Sequence, residues 1–168
     1  DYLDAGAKLN YSRKLTDGWD AIFNGRLRSD HVAIGSFLDE PLRQASEPAI
    51  YRQAEAEAGI DAREGRYKLE ARTGIDSINY DNTSDIQGNE IINDDRDFTT
   101  YNLGGRFGYM VDEKTFAYLL NHTNLRRYAS RIDSTAIDER DSRGYTFGVG
   151  AEYGNRKEDT LWGDGYVG

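Results

Sequence analysis

Apolar residues occupy every second position through most of this chain. In the first such segment one alternating set consists of Leu3, Ala5, Ala7, Leu9 and Tyr11. Successive side chains of a β-strand point to opposite sides, whereas a helix would scatter such residues around its circumference. The period of two therefore predicts strands with one apolar and one polar face.

The same alternation predicts about eight strands. Two are less clear than the others, because the sixth has apolar residues in both registers and the last is short and rich in glycine. We predict an all-β fold in which consecutive strands pair antiparallel in an up-and-down order. The approximate strand ranges are 2–13, 19–30, 50–62, 67–80, 98–111, 115–128, 143–154 and 160–168.

The connections between these strands alternate in length. Short turns are predicted at 14–18, 63–66, 112–114 and 155–159, and the first two contain glycine, which suits a tight hairpin. Every second connection is a long, polar and acidic loop, at 31–48, 81–97 and 129–142. Short periplasmic turns that alternate with long extracellular loops are typical of an outer-membrane barrel.

A closed barrel is the form in which such a chain would cross a bilayer. No stretch approaches the roughly 18 consecutive apolar residues of a membrane helix. Strands cross lipid only when every backbone polar group is paired, which requires closure. The chain begins without Met or a signal peptide and ends within a predicted strand. We therefore expect a fragment of a larger transmembrane β-barrel in the outer membrane of a Gram-negative bacterium.

The charge of the chain argues against a nucleic-acid partner. It contains 30 Asp and Glu against 21 Lys and Arg, for a net charge of −9. Phosphate binding requires a basic surface, which this balance does not favour. The absence of cysteine agrees with an exported protein in an oxidising compartment.

Alternation alone does not say which face is wet, so a soluble lipocalin-like barrel is the main rival. The apolar faces are rich in Ala and Gly, which fill a core poorly but are acceptable against lipid. The polar faces place opposite charges close together, as expected for a water-filled lumen. The candidate lumen-facing residues are Lys8, Arg26, Glu55, Glu57, Lys68, Glu70, Arg72, Arg106 and Glu152.

Aromatic residues recur near the ends of the apolar faces. Membrane barrels carry aromatic girdles at both edges of their apolar band. We predict one ring beside the short turns, formed by Tyr11, Trp19, Tyr67, Tyr109 and Tyr153. Tyr101 and Tyr145 are predicted to belong to the opposite ring.

Three stretches of the chain resemble one known family. They are EPAIYRQAEAEAGIDAREGRYKLEARTGIDSINYD from Glu47, then DDRDFTTYNLGGRFGYMVDEKTFAYLLNHTNLRRYA, and then DSRGYTFGVGAEYG. Their most recognisable elements are Asp95-Arg96-Asp97, the Asn-x-Arg-x-Tyr pattern that ends at Tyr128, and Arg143-Gly144-Tyr145. The chain resembles the bacterial β-barrel porins found with exopolysaccharide and capsule gene clusters.

The resemblance implies an outer-membrane barrel. It implies polysaccharide export, or passage of other hydrophilic solutes, only through the usual gene neighbourhood of the family. Members of that family are larger than this chain, which agrees with the expectation of a fragment. The motifs are barrel-building patterns and carry no catalytic signature.

Three groups of residues have the composition of a catalytic or metal site, but we predict no enzyme activity, catalytic residue, metal or cofactor. Glu55 and Glu57 share a face about 7 Å apart, which suits a glycosidase pair, but charged lumens produce such pairs by patterning. His122 beside Asn121 and Asn124 resembles the Asn, His and Ser set of outer-membrane phospholipases, but adjacent strand residues point to opposite faces and no serine is placed to act as nucleophile. The loop that begins at Asp81 lacks the glycine and glutamate of an EF-hand, which leaves only looser calcium binding by surface carboxylates open.

Two functional interpretations follow from these patterns. The favoured one is a porin-like conduit for polysaccharide or other hydrophilic solutes. The alternative is a structural or surface-interaction barrel whose long loops bind a partner. The expected partners are outer-membrane lipid and lipopolysaccharide, with polysaccharide as a further candidate. Strand number, pore width, substrate and oligomeric state do not follow from these patterns.

Overall fold

The structure, a computed structural model, describes residues 4–32, 45–129, 140–154 and 161–168. Its strands are β1 (Ala5–Thr16), β2 (Trp19–Val32), β3 (Ala49–Glu64), β4 (Tyr67–Tyr80), β5 (Thr83–Ser84), β6 (Glu90–Ile91), β7 (Phe98–Met110), β8 (Thr115–Tyr128), β9 (Ser142–Tyr153) and β10 (Gly163–Val167). Eight strands form one antiparallel sheet in the order β1-β2-β3-β4-β7-β8-β9-β10. The predicted all-β, up-and-down architecture is confirmed.

Two tight turns extend strand pairing beyond the predicted ends of β1 and β3. Thr16 pairs with Trp19, and Glu64 pairs with Tyr67, so only two residues separate the strands at each turn. Gly18 and Gly65 have φ angles of 81° and 58° in these turns. Only glycine adopts such angles without steric cost, which allows the compact reversal.

The connection 81–97 contains regular structure that its sequence pattern did not indicate. β5 and β6 pair within it, and a 3-10 helix covers Asp94–Arg96. The carboxylate of Asp85 accepts hydrogen bonds from the backbone N–H groups of Gln87 and Asn89, each at 2.8 Å. These bonds organise the turn between β5 and β6. A side-chain hydrogen bond from Asn89, followed by these backbone hydrogen bonds, lowers the pKa of Asp85 from its ordinary value.

Several predicted ranges fall partly outside the described residues. This applies to positions 2 and 3 of the first predicted strand, position 160 of the last, and the predicted turn at 155–159. It also applies to most of the predicted loops 31–48 and 129–142. His31 and Val32 belong to β2, and Ala45 forms a bridge with Asp85.

The sheet is strongly curved, with its polar face inside the curve. Arg106 Nη1 on β7 lies 3.2 Å from Asp164 Oδ2 on β10, although β8 and β9 separate these strands. In a flat sheet strands three places apart would lie about 14 Å from one another. Long side chains can bridge part of that span, and curvature supplies the rest. We call this side the concave face and the other the convex face.

The two faces reverse the usual distribution of polar and apolar residues. Large apolar residues of the convex face are exposed, as with Leu103 at 60% and Phe107 at 52%. The concave face instead partly buries charged residues, and it holds the buried aromatic residues Phe116 and Tyr118. Among the described residues no helix is long and apolar enough to cross a membrane. Within the same residues the sheet is open, with β1 and β10 at its edges.

Candidate functional site: the polar concave face

Arg106 is the centre of an ionic cluster near the short-turn end of the concave face. Its Nε lies 2.6 Å from Glu70 Oε2, and its Nη1 lies 3.2 Å from carboxylate oxygens of both Glu152 and Asp164. Lys68 Nζ is 2.7 Å from the other oxygen of Glu70. One guanidinium therefore connects β7 to β4, β9 and β10.

The two cations of this cluster lie over aromatic rings. The Arg106 guanidinium lies 4.9 Å from the ring centroid of Tyr118, and Lys68 Nζ lies 4.8 Å from that of Phe116. The Tyr118 hydroxyl donates a hydrogen bond to Asp164. Cations over aromatic faces are stabilised more strongly where water is partly excluded. We call Lys68, Glu70, Arg106, Phe116, Tyr118, Glu152 and Asp164 the Arg106 cluster.

Glycines of the concave face make room for side chains from neighbouring strands. A Cβ at Gly59 would lie 2.4 Å from Arg72 Cδ, and a Cβ at Gly150 would lie 2.6 Å from the Tyr118 ring. Arg72 uses this space to place its Nη2 2.6 Å from Asp61 Oδ1. Gly59 and Gly150 therefore leave the space that the side chains of Arg72 and Tyr118 occupy.

The concave face contains two adjoining hollows. One of about 380 Å³ extends from the Arg106 cluster to the middle of the face, and one of about 480 Å³ lies on the side of the long loops. Both hollows are lined by Glu57, Gly74, Asn102 and His122. Arg26 Nη1 lies 3.5 Å from Glu55 Oε1, and Asn24 donates to Glu57 at 2.9 Å. The wall here is polar and combines charges of both signs with amides.

All nine candidate lumen residues lie on the concave face, but they do not form one site. Lys68, Glu70, Arg106 and Glu152 come together in the Arg106 cluster. Arg26 meets Glu55, and Lys8 is the register partner of Arg26. Arg72 pairs with Asp61, and Glu57 binds Asn24, neither of which was a candidate. That these residues face a lumen stays a prediction.

Sequence reasoning missed Phe116, Tyr118, Asp61 and Asp164. The faces of β8 were ambiguous because both of its registers carry apolar residues, and the last strand was too short to assign. Phe116 and Tyr118 alternate with Ala117 and Leu119 in the sequence. Because both sets are apolar, the alternation does not show which set lies on the polar face of the sheet.

The predicted aromatic residues all lie on the convex face and are exposed. Tyr67 and Tyr109 are register partners with ring centroids 5.5 Å apart, and Arg66 donates to the Tyr109 hydroxyl at 3.3 Å. Tyr11 lies further from its turn, since it pairs with Phe23, four positions along β2 from Trp19. Trp19, Tyr153, Tyr101 and Tyr145 complete the set. A girdle role for these residues stays a prediction.

The side chains of the possible histidine site are separated, and those of the possible glutamate pair are already bonded. His122 lies on the concave face with Thr146 as register partner, whereas Asn121 pairs with Phe147 on the convex face. These two side chains therefore point to opposite sides. Glu55 and Glu57 share a face, but Arg26 and Asn24 contact their carboxylates.

An open, curved antiparallel sheet with a polar concave face and an exposed apolar convex face defines the wall of a β-barrel. The sequence matches the family described as Putative beta-barrel porin 2 over residues 7–168. The chain therefore belongs to this porin family, as the resemblance in its sequence predicted. Comparisons with curated proteins and with solved structures gave no match.

Proposed function

We propose that the chain forms part of the wall of an outer-membrane conduit for hydrophilic solutes. The observation that supports this most is the distribution of residues between the two faces. Charged and amide side chains from β1 to β10 line the concave face, while Leu103, Phe107 and Val149 on the convex face are at least half exposed. Water inside and hydrocarbon outside would satisfy both faces.

The expected surroundings of the convex face are lipid and lipopolysaccharide. Exposed apolar residues over so large an area would drive a water-soluble protein to associate. Tyrosines near strand ends suit a membrane interface, because their rings are apolar and their hydroxyls bind water or headgroups. These features support our proposal that the protein lies in the outer membrane of a Gram-negative bacterium.

The concave face is suited to passage. One transverse row contains Lys8, Arg26, Glu55, Asp76 and Arg126, so three cations and two anions lie side by side across the wall. Mixed charges bind hydrated solutes weakly enough for release, which a conduit requires. Polysaccharide export is the specific role that we propose, because a hydrated sugar chain can exchange hydrogen bonds with such a wall. No catalytic step is part of this proposal.

Conductance of the intact protein in planar bilayers tests the conduit. We expect open-channel currents, with an ion preference that moves toward cations in Arg72→Gln, because this change leaves Asp61 without its cation. Arg143→Gln is the matched control, since Arg143 is a register partner of Leu125 on the convex face. A protein that inserts and does not conduct would refute the proposal.

Gene deletion tests the export role separately. Loss of secreted polysaccharide that the wild-type gene restores would support export. Unchanged secretion by a strain whose purified protein conducts would limit the role to general solute passage.

A further inference from the structure

One transverse row of the concave face is made almost entirely of amides and glycines. Strand register aligns its members side by side from β1 to β9, in the order Asn10, Asn24, Glu57, Gly74, Asn102, Asn124 and Gly144. Four strands each contribute an asparagine to this row. We call it the amide row.

The rows on either side of the amide row are different. The row toward the long loops carries Lys8, Arg26, Glu55, Asp76 and Arg126. The row toward the short turns contains Arg72 and His122. The other members of that row are Ser12, Ile22, Gly59, Gly104 and Thr146, so Arg72 is its one charged residue. The amide row holds a single charged residue, Glu57, whose carboxylate accepts a hydrogen bond from Asn24 at 2.9 Å. The amides therefore form a nearly neutral band beside the strongly charged row on the long-loop side.

The amide row has hydrogen-bonding capacity that the described residues do not use. The side chains of Asn10 and Asn102 make no hydrogen bond to another described residue, although both line the hollow of about 480 Å³. Asn124 accepts the Gly144 N–H at 3.1 Å through Oδ1, which leaves its amino group to donate elsewhere. Asn102 also lines the adjoining hollow.

We propose that the amide row is a binding subsite for uncharged, hydroxyl-rich solutes such as sugar chains. Each asparagine amide offers both donors and acceptors, and each hydroxyl does the same, so the two groups can pair in either direction. Gly74 carries no side chain, and Gly144 leaves room for Asn124, whose amide atoms would lie about 3 Å from a Cβ there. A bulky solute can therefore approach the backbone of the wall at Gly74.

The amide row itself offers no cation to an anionic solute. Glu57 is its one charge, and a carboxylate repels an anionic solute while it accepts hydrogen bonds from hydroxyl groups. This assignment rests on the proposed conduit, because it places the subsite on the path of the solute. Beyond the conduit itself, the amide row specifies that the solute is uncharged and names the residues that bind it.

The test is occlusion of single-channel current by maltohexaose, a neutral sugar chain. We expect the sugar to interrupt the current of the wild-type protein, and Asn102→Leu to weaken its affinity about tenfold through lost hydrogen bonds. Asn121→Leu is the matched control, because it is the same substitution on the convex face one strand away. It should leave occlusion unchanged.

Binding of maltohexaose to the same variants in detergent micelles, measured by calorimetry, separates the two proposals. Conductance with equal sugar affinity in the wild type and Asn102→Leu would overturn the subsite and leave the conduit standing. Sugar binding that Asn102→Leu weakens, in a protein that does not conduct, would support the subsite and overturn the conduit. Absence of sugar binding to the wild type would overturn the subsite regardless of conductance.

Discussion

Arg106 shows how one side chain can hold several strands of a barrel wall together. It forms ion pairs with three carboxylates that come from three other strands, and its guanidinium lies against the Tyr118 ring. Its side chain is 26% exposed, so water screens these pairs only in part. Removing it would leave Glu70, Glu152 and Asp164 close together, with Lys68 as the one remaining cation of the cluster among the described residues.

We predict that Arg106→Leu lowers the free energy of unfolding by about 2 kcal/mol, between the effects seen for surface and buried ion pairs. Arg26→Leu is the matched control, because Arg26 has one partner at 3.5 Å and is 47% exposed. It should cost under about 1 kcal/mol. Urea unfolding in lipid vesicles measures both variants. Equal losses of unfolding free energy in the two variants would show that the three carboxylates around Arg106 add nothing to its contribution to stability.

Gly150 provides a second prediction about a single residue. A Cβ there would lie 2.6 Å from both the Tyr118 ring and the backbone oxygen of Gly165, so Gly150→Ala must displace one of them. We expect a loss of about 1–3 kcal/mol, as for overpacked sites. Gly165→Ala should be nearly neutral, since its Cβ would meet nothing within 4 Å. Thermal unfolding of the two alanine variants compares them, and a stable Gly150→Ala would contradict the packing role of this glycine.

At the scale of secondary-structure elements, an aspartate just before a strand closes each of two long connections. Asp97 precedes β7 and accepts the Tyr80 N–H at 2.7 Å, and Asp141 precedes β9 and accepts the Tyr128 N–H at 2.9 Å. Both aspartates follow an arginine. In both places the aspartate that precedes a strand forms a hydrogen bond with the last residue of the preceding long strand.

The two aspartates differ in their electrostatic surroundings. Burial raises the pKa of Asp97 above its ordinary value of 3.8, and the carboxylates of Asp94, Asp81 and Asp95 raise it further, against the lowering effect of the Tyr80 N–H. Asp141 instead forms an ion pair with Arg127, with Oδ2 2.6 Å from Nη1. The surroundings of Asp97 therefore disfavour its negative charge, whereas Arg127 favours the negative charge of Asp141.

This contrast predicts opposite effects of the same substitution. Because the folded-state pKa of Asp97 is raised, its contribution to stability is full below pH 3.8 and is lost as pH rises through the folded-state value. At neutral pH, Asp97→Asn should therefore slow hydrogen exchange of the Tyr80 amide, because it keeps the acceptor and removes the charge. Asp141→Asn should speed exchange at Tyr128. Changes of the same sign at both sites would contradict this electrostatic account.

At the scale of the whole molecule, the apolar surface is on the outside. Residues that would form the core of a soluble protein are exposed on the convex face, and few apolar side chains are buried among the described residues. The stability of such a sheet depends on its backbone ladder, on the concave polar contacts and on the solvent that covers the convex face.

A charge on the convex face should therefore be costly in proportion to its depth. Leu103 lies near the middle of β7, and Tyr109 lies beside its end. In a bilayer, Leu103→Arg should cost about 2–4 kcal/mol and Tyr109→Arg about 0–1 kcal/mol, because the midplane is the least polar depth. Folding yield into lipid vesicles, followed by the change in gel mobility on heating, measures both. Equal tolerance would show that hydrocarbon does not cover this face.

Much of this architecture follows from local chain properties. In a strand, the direction of a side chain depends only on its position, so alternation such as that of Leu3, Ala5 and Ala7 indicates both the strand and its faces before any partner is known. Glycine in tight turns and the alternating length of connections then indicate the antiparallel order. For these reasons the fold class could be predicted, whereas the family was predicted from the resemblance of three stretches of sequence.

Contacts between distant residues could not be predicted in this way. Arg106 meets Glu70 because β4 and β7 pair in one particular register across the connection 81–97, and a shift of one residue would place them on opposite faces. It meets Asp164 only because the sheet curves. The face of Phe116 and Tyr118 was likewise undetermined until β8 paired with β7 and β9. Register and curvature depend on the whole sheet, so the Arg106 cluster and the amide row emerge only when the strands are assembled.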